Sequence, residues 1–77
     1  GWALHLYSFP DSLSAEDQAA ALERKGFRTA TRPVQFKEKG RWYRVYVGSF
    51  QSRGEALTAK DPLLEQLRID WARVTEF

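Results

Sequence analysis

The chain has 77 residues, 43% of them hydrophobic, with three Trp, three Tyr, five Phe, no Cys and a formal net charge of +2. That length holds one domain with one modest core, and the aromatic content sets it apart from a disordered tail. Missing thiols exclude disulfides and thiolate metal sites, no apolar run approaches the roughly 18 residues of a membrane span, and 12 basic against 10 acidic residues fall short of the dense basic excess of phosphate-driven binders.

Residues 2–8 alternate as a first strand, with Leu4 and Leu6 on one face and Ala3, His5 and Tyr7 on the other. Phe9-Pro10-Asp11-Ser12 breaks it. Ser14 followed by Asp17 reads as a weak capping box for a helix over 15–25, where Ala15, Ala19 and Leu22 recur at helical spacing. Arg24 and Lys25 suit its negative end, and Gly26 stops it. A second strand runs from near Phe27 to about Phe36; Pro33 has no N–H for a central ladder and assigns that strand to a sheet edge or a bulge.

Lys37-Glu38-Lys39-Gly40 reads as a hairpin turn into a third strand, Arg41 to Gly48. There Tyr43, Val45 and Val47 share one face and Trp42, Arg44 and Tyr46 the other. Ser52 with Glu55 is a stronger capping box, opening a second helix with the stripe Ala56, Leu63, Leu67 and a repeat of that spacing at Leu57 and Leu64. Pro62 is expected to kink this helix or restart it with Asp61 as a new cap. Ile69 to Phe77 forms the last strand, with Ala72 and Val74 opposite Trp71 and Arg73.

The first and third strands repeat one another: Trp2-Ala3-Leu4-His5-Leu6-Tyr7-Ser8-Phe9 is echoed by Tyr43-Arg44-Val45-Tyr46-Val47-Gly48-Ser49-Phe50. Two strand-turn-helix copies are too few for a solenoid, so they share one sheet. The expected fold is α+β, in the order βαββαβ: a four-stranded antiparallel sheet of strand order 4-1-3-2 with both helices on one face, ferredoxin-like. The helix-covered face takes Leu4, Leu6, Tyr43, Val45, Val47, Ala72 and Val74 against Ala19, Leu22, Leu57 and Leu63. The open face carries Ala3, His5, Tyr7, Trp42, Arg44, Tyr46, Trp71 and Arg73, an unusual set to offer to water.

Tyr43-Arg44-Val45-Tyr46-Val47-Gly48-Ser49-Phe50 resembles the second-repeat signature of the SPOR family, the sporulation-related repeat, and Leu4-His5-Leu6-Tyr7-Ser8-Phe9 looks like its first-repeat counterpart. The later segments Leu22 to Phe27 and Ala56 to Leu64 also fit, so the resemblance covers essentially the whole of 1–77 as a single domain, a fragment of a larger protein. His5 stands where the family usually has glutamine, and Tyr7 where it has glycine. The resemblance implies a noncatalytic module of bacterial cell-envelope proteins that binds peptidoglycan, with preference for glycan strands stripped of stem peptides, and localises its host to the division septum. It implies a periplasmic or envelope location behind an anchor outside the fragment, a monomer, no cofactor and no metal. The open face is then the glycan platform, with Arg44, Tyr46, His5, Trp42, Trp71, Arg73 and Tyr7 as candidate contacts. Aromatic rings suit the C–H faces of sugars, and Arg44 or Arg73 suits the lactyl carboxylate of N-acetylmuramic acid.

Each candidate has a purely structural counterpart. Trp42 suits packing on Phe36 or Gln35 beside the hairpin, a one-residue bulge would turn Trp71 inward, and a strand histidine is commonly structural. Two other ligand classes fit the same sheet: single-stranded RNA, whose recognition modules share this topology, and a protein partner. The RNA motif's glycines are absent from Arg41 to Val47, so no nucleic acid is expected. Enzymatic readings find no support, because the serines sit in turns and caps and the single histidine has no serine or cysteine nucleophile presented on a strained elbow.

Overall fold

A computed structural model describes residues 1–77. The elements are β1 (Trp2–Phe9), α1 (Ser12–Arg24), β2 (Thr29–Phe36), β3 (Gly40–Phe50), α2 (Arg53–Leu67) and β4 (Arg73–Glu76). They build one four-stranded sheet in the order β2-β3-β1-β4 with every neighbouring pair antiparallel, the expected α+β arrangement. Pro33 lies in the edge strand β2, opposite Tyr43, where its missing N–H is tolerated.

Helix α1 packs over β2 and β3, and α2 over β4 and β1. Between helices and sheet lies one apolar cluster of Leu4, Leu6, Ala15, Ala19, Leu22, Val45, Val47, Leu63 and Ala72. Leu4, Leu22 and Val45 are the largest side chains wholly removed from water. Each contributes roughly 1.5–3 kcal/mol by burial.

The helix ends follow local chemistry. Asp11, rather than Ser14, caps α1: its Oδ2 accepts from the Ser14 N–H at 2.8 Å, and its Oδ1 accepts from the Ser14 hydroxyl at 3.0 Å. The helix therefore starts three residues earlier than the expected 15. It ends in a Schellman turn, with Phe27 N–H donating to Leu22 O at 3.1 Å and Gly26 at φ +94°. At α2 the Ser52 hydroxyl accepts from Glu55 N–H at 3.1 Å, and the Glu55 carboxylate accepts from Gln51 N–H at 2.9 Å, so the expected capping box forms with its return bond moved to the residue before the cap.

The restart of α2 and the core place of Leu57, both entertained above, are corrected. The helix runs from Arg53 to Leu67 without restarting at Pro62. Ala56, Leu63 and Leu67 share one face only if the turn count between them is unbroken, and burying that face outweighs the one bond proline cannot donate. Leu57 is 43% exposed rather than core, because it follows Ala56 by about 100° of helix rotation.

The β1–β3 ladder slips twice. His5 lies opposite Tyr46 but Tyr7 lies opposite Val45, so Leu6 is an extra residue on β1. Such a bulge inverts the alternation beyond it. Tyr7 thus joins Phe9 on the helix-covered side, packed against the core, while Ser8 comes to the open face opposite Arg44. The second slip sets Trp2 opposite Phe50 and Leu4 opposite Val47, leaving Gly48 and Ser49 against Ala3 alone. Gly48 takes φ +94° there and donates its N–H to Arg28 O at 2.9 Å.

Candidate functional site

The sheet surface opposite the helices is organised in cross-strand rows. One row runs Ala30, Tyr46, His5, Arg73 across all four strands, and the next runs Arg32, Arg44, Ser8 across three. A third pairs Val34 with Trp42 near the hairpin. Backbone spacing puts neighbours within a row about 5 Å apart.

The centre of this face is packed rather than bare. Tyr46 is only 4% exposed: the Phe77 ring meets it edge-on at 4.6 Å, and the His5 ring lies at 5.4 Å. Phe77 is held by its N–H, which donates to Gly1 O at 2.8 Å and extends the β1–β4 pairing. The Arg32 guanidinium sits 3.9 Å above the Phe77 ring, a cation–π contact. Tyr46, expected as an exposed contact, is therefore a buried floor under Phe77. Its central position on β3 makes it part of a second, smaller core.

His5 is 6% exposed, between Tyr46 and the Trp71 ring, whose edge contact lies at 5.2 Å. Its Nε2 lies 3.1 Å from Tyr7 O and 2.9 Å from Ser8 Oγ. A carbonyl only accepts, so Nε2 carries the proton and donates, leaving Nδ1 to take a second one. Burial holds this imidazole below its ordinary value of 6.5; the Arg44 guanidinium pushes the same way, the Tyr7 carbonyl opposes it, and Arg73 adds to the lowering.

As pH falls through about 6.5 the unfolded chain takes up the His5 proton before the folded one does, so stability present above that value is lost below it. The groups around the ring are Arg44 and Tyr46 from β3, Arg73 from β4, and Trp71 from the segment before it. We expect the melting temperature to drop between pH 7.5 and 5.5 and His5→Gln to flatten that slope. An unchanged slope in the variant would contradict the assignment. Asp11, held below 3.8 chiefly by the Ser14 N–H, loses its contribution only at lower pH.

The remaining candidates form the rim. Trp71 is 49% exposed against the His5 ring, as its alternation predicts, and the inward turn that a bulge would give does not occur. Arg73 is exposed opposite His5, and Arg44 is half-buried with its guanidinium 5.7 Å from the Phe36 ring. Trp42 is half-buried, and its indole N–H donates to Lys39 O at 3.3 Å, so it also braces the hairpin. Tyr7 leaves the set, being on the other side of the sheet.

Two residues of this face escaped the sequence reading, Arg32 and Phe77. The signal for Arg32 was present: once Phe36 pairs with Gly40 across the turn, counting back places Arg32 opposite Arg44. Phe77 shares the alternation of Arg73 and Thr75. The helix side offers a different concavity, a cleft of about 310 Å³ lined by Phe27, Arg28, Phe50, Pro62, Leu63 and Gln66 among others. It holds one charged side chain, whereas the open face gathers three arginines and a half-exposed tryptophan.

A family model described as SPOR domain matches residues 1–70 of the chain. No curated protein and no solved structure matches it.

Proposed function

Since the chain belongs to the SPOR domain family, whose members bind peptidoglycan, we propose that it takes glycan strands stripped of their stem peptides on the open sheet face. It acts as a noncatalytic, monomeric module that holds its host protein at the bacterial cell envelope, at the division septum.

The observation that carries this reading is the conjunction of Arg44, Arg73 and the half-exposed Trp71 on the face that neither helix covers. An indole ring offers a flat apolar surface to the C–H side of a pyranose. Guanidinium groups beside it supply forked donors for the acidic and hydroxyl oxygens of the same sugar. Trp42 and Arg32 extend the surface toward the β2 edge, while His5 and Tyr46 support it from below. No group on this face needs to enter a covalent step, which suits retention rather than turnover.

Retention by purified sacculi tests the proposal. The domain should be pulled down more strongly by amidase-treated sacculi than by intact ones. Failure with both, together with salt-sensitive retention on single-stranded RNA, would replace glycan by nucleic acid as the ligand.

A further inference from the structure

The cleft on the helix side of the sheet has its floor in the core and its mouth in water. Leu4, Val47 and Leu63, all nearly closed to solvent, form the floor, and the Phe27 and Phe50 rings with Pro62 form the walls. Space opens there because neighbouring positions carry little side chain: Gly26, where an added Cβ meets nothing within 4 Å, then Gly48 and Ala59. Its volume of about 310 Å³ lies at the lower end of the roughly 300–1,000 Å³ of ligand pockets, so it suits one bulky apolar group. Arg28 is the one charged residue of the lining; it is exposed, and its carbonyl is pinned by the Gly48 N–H at 2.9 Å. Toward the start of α2 the cleft continues into a more open hollow that shares Phe50 and Ala59 with it and reaches Thr58. Pro62 has no N–H to give to the Thr58 carbonyl four residues before it, so this acceptor is left beside the Pro62 ring without its helical donor.

The geometry points to a protein-docking groove: it takes an extended peptide segment of a partner protein, with an aromatic or leucine side chain seated in the cleft and an adjacent acidic residue paired with Arg28. The apolar side chain covers Leu4 and Leu63 between two rings, the kind of pocket that anchor residues fill at interfaces. A backbone N–H of the same segment supplies the Thr58 carbonyl with the donor that Pro62 withholds. The carboxylate gives Arg28 the forked partner that suits a guanidinium. A free small acid satisfies the cleft and Arg28 but leaves the Thr58 carbonyl to water, which favours a peptide as the occupant. The groove lies on the side of the sheet away from Arg44, Trp71 and Arg73, so a protein segment and a glycan can be held at once, and neither needs the other.

Titration of the labelled domain with the blocked peptide acetyl-Gly-Phe-Asp-Gly-amide, followed by chemical shifts, tests this. The amides of Phe27, Leu63 and Gln66 should move and the Trp71 and Trp42 indole N–H signals should stay. Replacing the peptide's phenylalanine with alanine should abolish the shifts, and replacing its aspartate with asparagine should weaken binding about tenfold, the scale of one charge-assisted hydrogen bond. Arg28→Gln should remove the preference for aspartate and leave both peptides at the weaker affinity. Ala59→Leu, which fills the cleft from α2 with a good helix former, should abolish binding of both. Arg28 is exposed, so its variant keeps the proposal testable if the filled cleft disturbs α2, and melting curves report the fold of each. Cleft amides that stay still at millimolar peptide overturn the docking groove. Equal affinity for the aspartate and asparagine peptides overturns it as well, since Arg28 then selects nothing. Phenylpropionate moving the same amides at the same concentrations overturns the peptide in favour of a small acid. Movement of these amides on concentrating the domain alone overturns it in favour of a second copy of the chain.

Discussion

Replacing Tyr46 with alanine is expected to remove about 3 kcal/mol or more of stability, the cost of deleting a buried aromatic ring. Tyr46 is 4% exposed on a central strand, between His5 and the Phe77 ring. Its loss also frees Phe77, and with it the ring on which Arg32 rests. A domain of this size has a total stability of roughly 4–10 kcal/mol, so much of it goes. Tyr46→Phe keeps the ring and should melt close to the parent. Urea denaturation of the two variants is the check. An alanine variant that unfolds at the parent's midpoint would mean that the ring is not packed as described. Weaker glycan retention by Tyr46→Ala is therefore to be read as a folding defect, whereas the sequence alone placed this side chain in contact with sugar.

Gly48→Ala is expected to cost about 2–4 kcal/mol, from left-handed backbone strain and overpacking together. The residue holds φ +94° at the second slip of the β1–β3 ladder. A methyl group there would collide with Cε2 of Phe50 and come within 2.6 Å of its Cζ. Phe50 packs against the core, so its ring moves aside only by opening apolar contacts. Gly54, in the first turn of α2, makes the contrast: an added Cβ meets nothing nearer than Ser52 Oγ at 3.8 Å. Gly54→Ala should leave the domain as stable or raise it by about 0.5–1 kcal/mol. Thermal melting of both variants checks the pair, and equal effects would contradict the strain assigned to Gly48.

Most of the fold was legible because its strands alternate cleanly. Tyr43, Val45 and Val47 against Trp42, Arg44 and Tyr46 define two faces without ambiguity, and Pro33 marks its own strand as an edge. Ser52 and Glu55 announced their helix for the same local reason that they cap it. The bulge at Leu6 was not legible. Leu4, His5, Leu6 and Tyr7 alternate acceptably with or without an extra residue, and only the pairing with β3 decides that Tyr7 turns to the helix side. The cap of α1 was hidden by Ser14, a good capping residue that instead serves as the partner of Asp11.

The candidate site was legible in its chemistry and less so in its depth. Alternation assigns a side chain to a face but cannot say whether another side chain lies over it. His5 and Tyr46 are on the expected face yet buried, because Trp71 and Phe77 return across it from the end of the chain. The side chains this face leaves open to solvent are consequently those farther out, Arg32, Arg44, Arg73, Trp42 and Trp71. Its positive character is felt by His5 itself, whose protonation Arg44 and Arg73 both oppose.

The most direct test of the account is a chemical-shift titration of the labelled domain with stripped glycan oligomers. The Trp71 and Trp42 indole N–H signals and the Arg32 and Arg44 side-chain N–H signals should move, with the amides of Phe27, Leu63 and Gln66 unmoved. Shifts centred on those three residues of the helix-side cleft, with the indole signals still, would contradict it.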